Sequence, residues 1–235
     1  MEKKQLITSW KIIIPFHLLF VVLGVSGVLN PLKAKSLFLG LAINAGYQMI
    51  LVIMIGIVLK GFLGDTWTAF RANGAKNNMK RILIGFSIIF VTCMICRFVT
   101  VLCCRSSGVT QNQAVVNEYI SYYPVLTFVL SAFIGPFTEE VLYRGIIFQT
   151  IRPKGKVIAC LGSGFFFGFI HMVTTIANGV SDWRLFLFQL LVYMAMGISF
   201  AIVMEKYKNL CVNYFVHLSW NALSSGLVIL IQALR

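Results

Sequence analysis

Seven apolar runs, at 10–29, 36–59, 82–104, 124–151, 157–173, 184–204 and 210–234, leave this chain few ways to fold. Each approaches the 20 or so residues with which a helix crosses the hydrocarbon core of a bilayer. The 235 residues are 59% hydrophobic and 11% charged, with a mean hydropathy of +0.87. A soluble domain is nearer 45 to 50% apolar and about 25% charged. The sequence therefore predicts an all-α polytopic membrane protein of seven transmembrane helices, with a polar cavity inside the bundle. Lys3 and Lys4 resemble the start of a signal peptide in charge. The run behind them is long for such a peptide and lacks a small-x-small cleavage site, so it is read as a retained first span.

The net charge of +13 does not point to nucleic acid, because the basic residues fall between apolar runs and no soluble basic face exists to carry such binding. They follow instead the bias of cytoplasmic loops toward Lys and Arg. With the N-terminus inside, Lys3, Lys4, Lys60, Arg71, Lys76, Lys80, Arg81, Arg152, Lys154, Lys156, Lys206 and Lys208 lie on the cytoplasmic side. Only Lys33, Lys35, Arg105, Arg184 and Arg235 lie outside. Twelve against five orients the seven spans with the N-terminus in and the C-terminus out. The segment 60–81, basic with Phe62, Leu63, Trp67 and Phe70 interspersed, reads as a partly interfacial cytoplasmic loop, and 105–123 as a polar loop. The six cysteines, Cys93, Cys96, Cys103 and Cys104 among them, sit mostly within apolar runs and read as small buried hydrophobes rather than a redox or metal motif.

Against this background the fourth run is anomalous, since it carries Glu139, Glu140 and Arg144. A charge near the bilayer centre costs roughly 2.5 to 3.5 kcal/mol on insertion scales, so such residues face a protein interior or a watery cavity. On a helix Glu140 and Arg144 are four apart with the acid N-terminal, the better order for mutual neutralisation. Glu139 points about 100° away and is left free. Pro136 removes a backbone donor and is expected to kink or restart the helix, so that the two glutamates begin its second half.

Other polar groups fall at the same depth. His171 lies near the end of the fifth run, behind the smooth strip Gly164-xxx-Gly168 that admits a close neighbour. Asn213, His217 and Asn221 share one face of the seventh. Counted from the cytoplasmic turns, Glu139, His171, His217 and Asn221 are all roughly 12 to 22 Å deep. A free carboxylate and a histidine that both reach one water can orient and deprotonate it. A second histidine and an asparagine amide can donate to the oxyanion formed on a peptide carbonyl. Taken singly, such residues more often just bridge helices by hydrogen bonds. Glu139, His171 and His217 could also supply the two-histidine, one-glutamate set of a hydrolytic zinc, although no short chelating pair is present. Arg97, in the third run, snorkels or pairs inside the bundle. His17, alone in the first run, simply makes a hydrogen bond.

Three ordered motifs now resemble a known family. Glu139-Glu140-Val-Leu-Tyr-Arg144, then Phe167-Gly-Phe-Ile-His171, then His217-Leu-Ser-Trp-Asn221 are similar to those of the CPBP intramembrane proteases, the Abi family, related to the CAAX-processing Rce1 enzymes and including bacteriocin-processing and self-immunity proteins. The resemblance covers 121–235 as a catalytic core, leaving 1–120 as N-terminal spans with a basic cytoplasmic loop within one membrane domain. It implies an endopeptidase acting on a membrane-associated protein or peptide in which Glu139 and His171 activate water, His217 and Asn221 form the oxyanion hole, and Glu140 and Arg144 support them. It implies no metal, although spacing alone leaves zinc open. Rce1 relatives are described with eight spans, so eight is the alternative to seven. Some relatives act as scaffolds or immunity factors, which makes a non-proteolytic membrane role the alternative function. The compact, loop-poor chain suggests a bacterial plasma membrane.

The orientation is directly testable. A topology reporter fused at Asn73 is expected to score as cytoplasmic and one at Thr110 as external; the reverse pair of scores overturns the charge-based orientation.

Overall fold

The computed structural model describes residues 1–26, 28–29, 36–105 and 109–234. Lys33, Lys35 and Arg235, three of the five basic residues counted on the outer side, fall outside the described residues. The described residues contain helices and no strand, and seven of the helices are long and apolar enough to cross a membrane. The chain is an all-α polytopic integral membrane protein.

The elements in order are α1 (Lys3–Val25), α2 (Leu37–Val58), α3 (Lys60–Ala72), α4 (Ala75–Cys104), α5 (Gln111–Tyr122), α6 (Pro124–Lys154), α7 (Lys156–Ala177), α8 (Trp183–Tyr207) and α9 (Leu210–Ala233). Short polar side chains start several of them by accepting from the first free amides. Ser36 accepts from Leu39 N at 3.0 Å, and Asp182 from Arg184 N and Leu185 N at 2.9 and 3.0 Å. Asn209 accepts from Cys211 N at 2.9 Å while its own amide donates to Thr66 O at 3.0 Å, which fastens α3 to the start of α9.

The turns alternate between the two ends of the bundle. Arg152 holds Glu205 at 2.6 and 2.7 Å, the Arg81 guanidinium lies 5.5 Å from the Tyr207 ring centroid, and Trp10 Nε1 donates to Thr150 Oγ1 at 2.8 Å. These contacts gather the start of α1, the 60–81 segment and the α6–α7 and α8–α9 turns at one end. At the other, Thr110 Oγ1 meets Tyr193 OH at 2.8 Å and Asn178 donates to Gln111 at 2.9 Å.

Two segments depart from the sequence reading. The interfacial segment and the polar loop are largely helical: α3 turns Phe62 inward and leaves Trp67 out, and α5 is capped by Thr110 and buries Ile120. Capping and one packed face are enough to fold a polar stretch that carries no long apolar run. The helix also does not restart at Pro136. α6 runs through it because the turns at Leu130–Ile134 and Val141–Ile147 are π-helical, with Gly135 N–H reaching Leu130 O and Phe148 N–H reaching Tyr143 O. The i→i+5 turn ahead of Pro136 accommodates the missing donor, and such turns recur at functional sites. No helix N-terminus is therefore free to meet the glutamates.

The closest helix contact is between α7 and α8. A Cβ at Gly164 would stand 2.8 Å from Ile198 N, one at Gly168 2.8 Å from Met194 N, and one at Gly197 2.9 Å from Gly164 Cα. Small residues let the two backbones touch, as the glycine strip predicts. All six cysteines are free thiols, with Cys93 and Cys160 buried.

Gly168→Val places two methyls against α8 backbone and is expected to cost about 1 to 3 kcal/mol. Thermal unfolding in detergent and the yield of monodisperse protein check this. The exposed Gly46→Ala, with open space around its Cβ, serves as the control and is expected to leave both unchanged.

Candidate functional site

The site is built on α6. Its turns from Glu140 to Phe148 are buried throughout, and Glu140 and Arg144 are both 0% exposed. Arg144 Nη1 donates to Glu140 Oε1 at 3.0 Å, and Nη2 donates to Gly197 O at 3.0 Å. The guanidinium carbon lies 4.7 and 4.9 Å from the ring centroids of Phe167 and Phe200. Glu140 is met from α9 as well, by Asn213 Nδ2 at 3.0 Å on Oε2 and by His217 Nδ1 at 2.9 Å on Oε1. Asn213 Nδ2 also donates to Phe200 O at 2.8 Å. A carboxylate that would be prohibitive in isolation is thus compensated from α6 and α9, whose donors are in turn held by carbonyls of α8.

Glu139 faces the other way, toward a cavity of about 340 Å³. Its Oε2 is buried without a hydrogen-bond partner, and two imidazoles turn toward it: His171 Nε2 at 3.9 Å and His217 Nε2 at 3.8 Å. The other ring nitrogens fix the tautomers. His171 Nδ1 lies 2.7 Å from Phe167 O and His217 Nδ1 2.9 Å from Glu140 Oε1, and both partners can only accept. Each Nδ1 therefore carries a proton, and in a neutral ring each Nε2 presents a lone pair. Three acceptors converge on one spot, separated by distances that a water donating to them would bridge.

Asn221 lines the same cavity, and one amide hydrogen of its Nδ2 is committed to Ser131 O at 2.8 Å. Thus all four residues singled out from the sequence border one space, and Glu140 and Arg144 lie behind it. The two nitrogen–oxygen separations exceed the roughly 3.3 Å between ligands that share one tetrahedral zinc at 2.0 to 2.1 Å. Among the described residues no group of three or more His, Cys, Asp or Glu is placed to hold a metal ion.

Several contributors were not assigned to the site from the sequence. Asn213 sits four residues before His217 and shares its face, a visible signal whose buried partner was not. His17 makes its hydrogen bond with Tyr47, and both line the cavity. Thr138 Oγ1, beside Glu139, lies 2.8 Å from Gln48 Oε1 on α2. The ring of Tyr193 on α8 stacks on His171 at a centroid distance of 4.6 Å. Nothing in the chain order announces these last three.

Fold and site together define a polytopic membrane protein in which a carboxylate and two imidazoles face a cavity inside the helix bundle. Residues 121–223 match the family model described as Type II CAAX prenyl endopeptidase Rce1-like. The chain is 30% identical over 149 residues to UPF0177 protein YvdC of Lactococcus lactis subsp. lactis (strain IL1403), covering 63% of this chain and 52% of that one. It is 31% identical over 113 residues to "Putative membrane peptidase YdiL" of Bacillus subtilis (strain 168), covering 48% of this chain and 41% of that one. The chain spans about half the length, or less, of these relatives. No solved structure matches it. The stretch matched by that family model carries all three of the motifs quoted from the sequence.

Glu140→Ala strands a buried arginine and is expected to cost roughly 3 to 5 kcal/mol. Folded yield and thermal stability should fall well below those of a Glu139→Ala variant, whose side chain is 28% exposed and unpaired. Equal stabilities would show that the Glu140 lattice does not support the fold.

Proposed function

We propose that the chain is an intramembrane endopeptidase that hydrolyses a peptide bond of a membrane-associated protein or peptide, using a water activated by Glu139 and His171. The observation that carries this is the partnerless Glu139 Oε2 facing two Nε2 atoms at 3.9 and 3.8 Å across a cavity. The family match and the name of the Bacillus subtilis relative support the reaction class.

A water among these acceptors donates to Glu139 Oε2 and His171 Nε2. As its oxygen attacks the peptide carbonyl carbon, Glu139 takes the proton, and the carbonyl oxygen becomes an oxyanion. Asn221 has a second amide hydrogen for that oxygen. His217 donates from Nε2 only as an imidazolium, because Nδ1 is already bonded to Glu140; the carboxylate behind it balances that charge. Collapse of the tetrahedral intermediate breaks the carbon–nitrogen bond, and the proton held by Glu139 passes to the leaving amine. Glu140 and Arg144 touch no reacting atom and serve as positioning residues. Such chemistry requires no metal.

In this reading the protein lies in a bacterial plasma membrane with its N-terminus and the 60–81 segment cytoplasmic. The twelve-to-five charge count supports the orientation, and the bacterial sources of both relatives support the compartment.

Glu139→Gln keeps the shape and removes the base. Expressed in the native membrane it should retain bound substrate, whose sequence then supplies a peptide for a cleavage assay. Wild-type protein is expected to cleave that peptide in the presence of strong chelator, Glu139→Gln to show no turnover, and Asn221→Ala to lose about 10² to 10³ in turnover. Cleavage by Glu139→Gln at the wild-type rate sinks the mechanism. Loss of wild-type activity in chelator, restored by zinc, would make Glu139, His171 and His217 ligands instead. Retention of the full cellular phenotype by both variants would move the scaffold or immunity role into first place.

A further inference from the structure

We infer that a small crevice beside the site, walled by Arg97, is a subsite for a carboxylate of the bound peptide. The inward stripe of α4 runs through Gly85, Ile89, Cys93 and Thr100, all buried. Arg97 stands four residues after Cys93 and three before Thr100, so it continues this stripe rather than the opposite, lipid-facing side. It is exposed, and it lines a crevice of about 100 Å³ between α4, α8 and α9. That crevice shares Gln113, Tyr193, Met196, Trp220 and Ser224 with the main cavity. Tyr193 borders both: its ring stacks on His171, and its hydroxyl is held by Thr110. A ligand whose scissile bond lies at Glu139 is therefore beside the space that Arg97 lines.

Among the described residues the charge of Arg97 has no ion-pair partner. Among the described residues the ion pairs involve Arg144, Arg152, His171 and His217, and no Asp or Glu lies within pairing distance of Arg97. An ionisable group inside a span is costly and marks a ligand path by default. A planar guanidinium in a space of this size matches a carboxylate, which it can hold by two parallel hydrogen bonds. The carboxylate can come from a chain terminus or from an acidic side chain. As a part of the substrate path this subsite rests on the peptidase reading, but its occupation requires no turnover.

Binding alone therefore tests it. Purified Glu139→Gln protein in detergent is titrated with an N-acetylated alanine–leucine–phenylalanine peptide bearing a free terminal carboxylate, with the same peptide as its carboxamide, and with a carboxamide in which glutamate replaces leucine. Ligand-induced thermal stabilisation gives each affinity. The free acid, the glutamate peptide, or both are expected to bind roughly ten- to hundredfold more tightly than the plain carboxamide, and the tighter of the two names the source. Adding Arg97→Gln should erase that preference while leaving carboxamide binding unchanged, and Arg97→Lys should keep part of it. Equal affinity for all three peptides, no stabilisation by either acid, or an acid preference that survives Arg97→Gln overturns the subsite. None of these outcomes bears on Glu139, whose failure would appear only in the cleavage assay.

Discussion

The buried contact between Arg144 and Glu140 is the constraint around which the bundle is arranged. Two opposite charges with no exposure repay their desolvation only when nearly every remaining donor and acceptor is met. Here α6 supplies both charges, α9 supplies Asn213 and His217, and α8 supplies the carbonyl of Gly197. That carbonyl can approach because Gly197 packs directly on Gly164 of α7, where a single added Cβ would collide. The glycine strip and the ion pair are thus one device. Backbone contact between α7 and α8 brings a carbonyl dipole and the rings of Phe167 and Phe200 onto a cation that lipid could not solvate.

The same lattice decides what the neighbouring acid can do. Glu140 accepts from His217 Nδ1 and so directs His217 Nε2 into the cavity, just as Phe167 O directs His171 Nε2. Glu139, one residue along the helix, points away from the lattice and receives none of its donors. One glutamate is saturated and structural while its neighbour is left short of a proton donor, a difference created by the angular step between adjacent helix positions. Such unmet polarity is expensive unless a water or ligand completes it.

Much of this was legible in the sequence for a definite reason. Helices in lipid are long and their apolar runs unambiguous, so seven spans could be placed, and charge was rare enough for Glu139, Glu140 and Arg144 to stand out. The pairing of Glu140 with Arg144 followed from helical spacing alone. Contacts between distant elements were not legible. Gln48 and Thr138 are 90 residues apart and Thr110 and Tyr193 are 83 apart, and no local pattern links them. Pro136 misled because proline was weighed against an α-helical ladder, whereas a π-turn changes which carbonyls need partners. The α5 helix was hidden because short capped helices on a bundle rim carry no long apolar run.

The division between those two kinds of residue has a physical meaning. The acid, the imidazoles and their buried supports all lie within 121–223, where the requirement to neutralise charge inside the membrane ties each position to several others. The facing wall of the cavity comes from elsewhere: His17 from α1, Tyr47 and Gln48 from α2, Gln113 from α5. These side chains are held by few polar contacts, such as Gln48 to Thr138 or His17 to Tyr47. Replacing Gln48 disturbs its one hydrogen bond to Thr138, whereas replacing Glu140 disturbs a network on three helices that joins Arg144, Gly197, Asn213 and His217. The wall can therefore change its chemistry at small cost to the fold, and the ion-pair lattice cannot. A change among these wall residues accordingly alters the surface of the cavity and leaves in place the carboxylate and imidazoles that the buried charges hold.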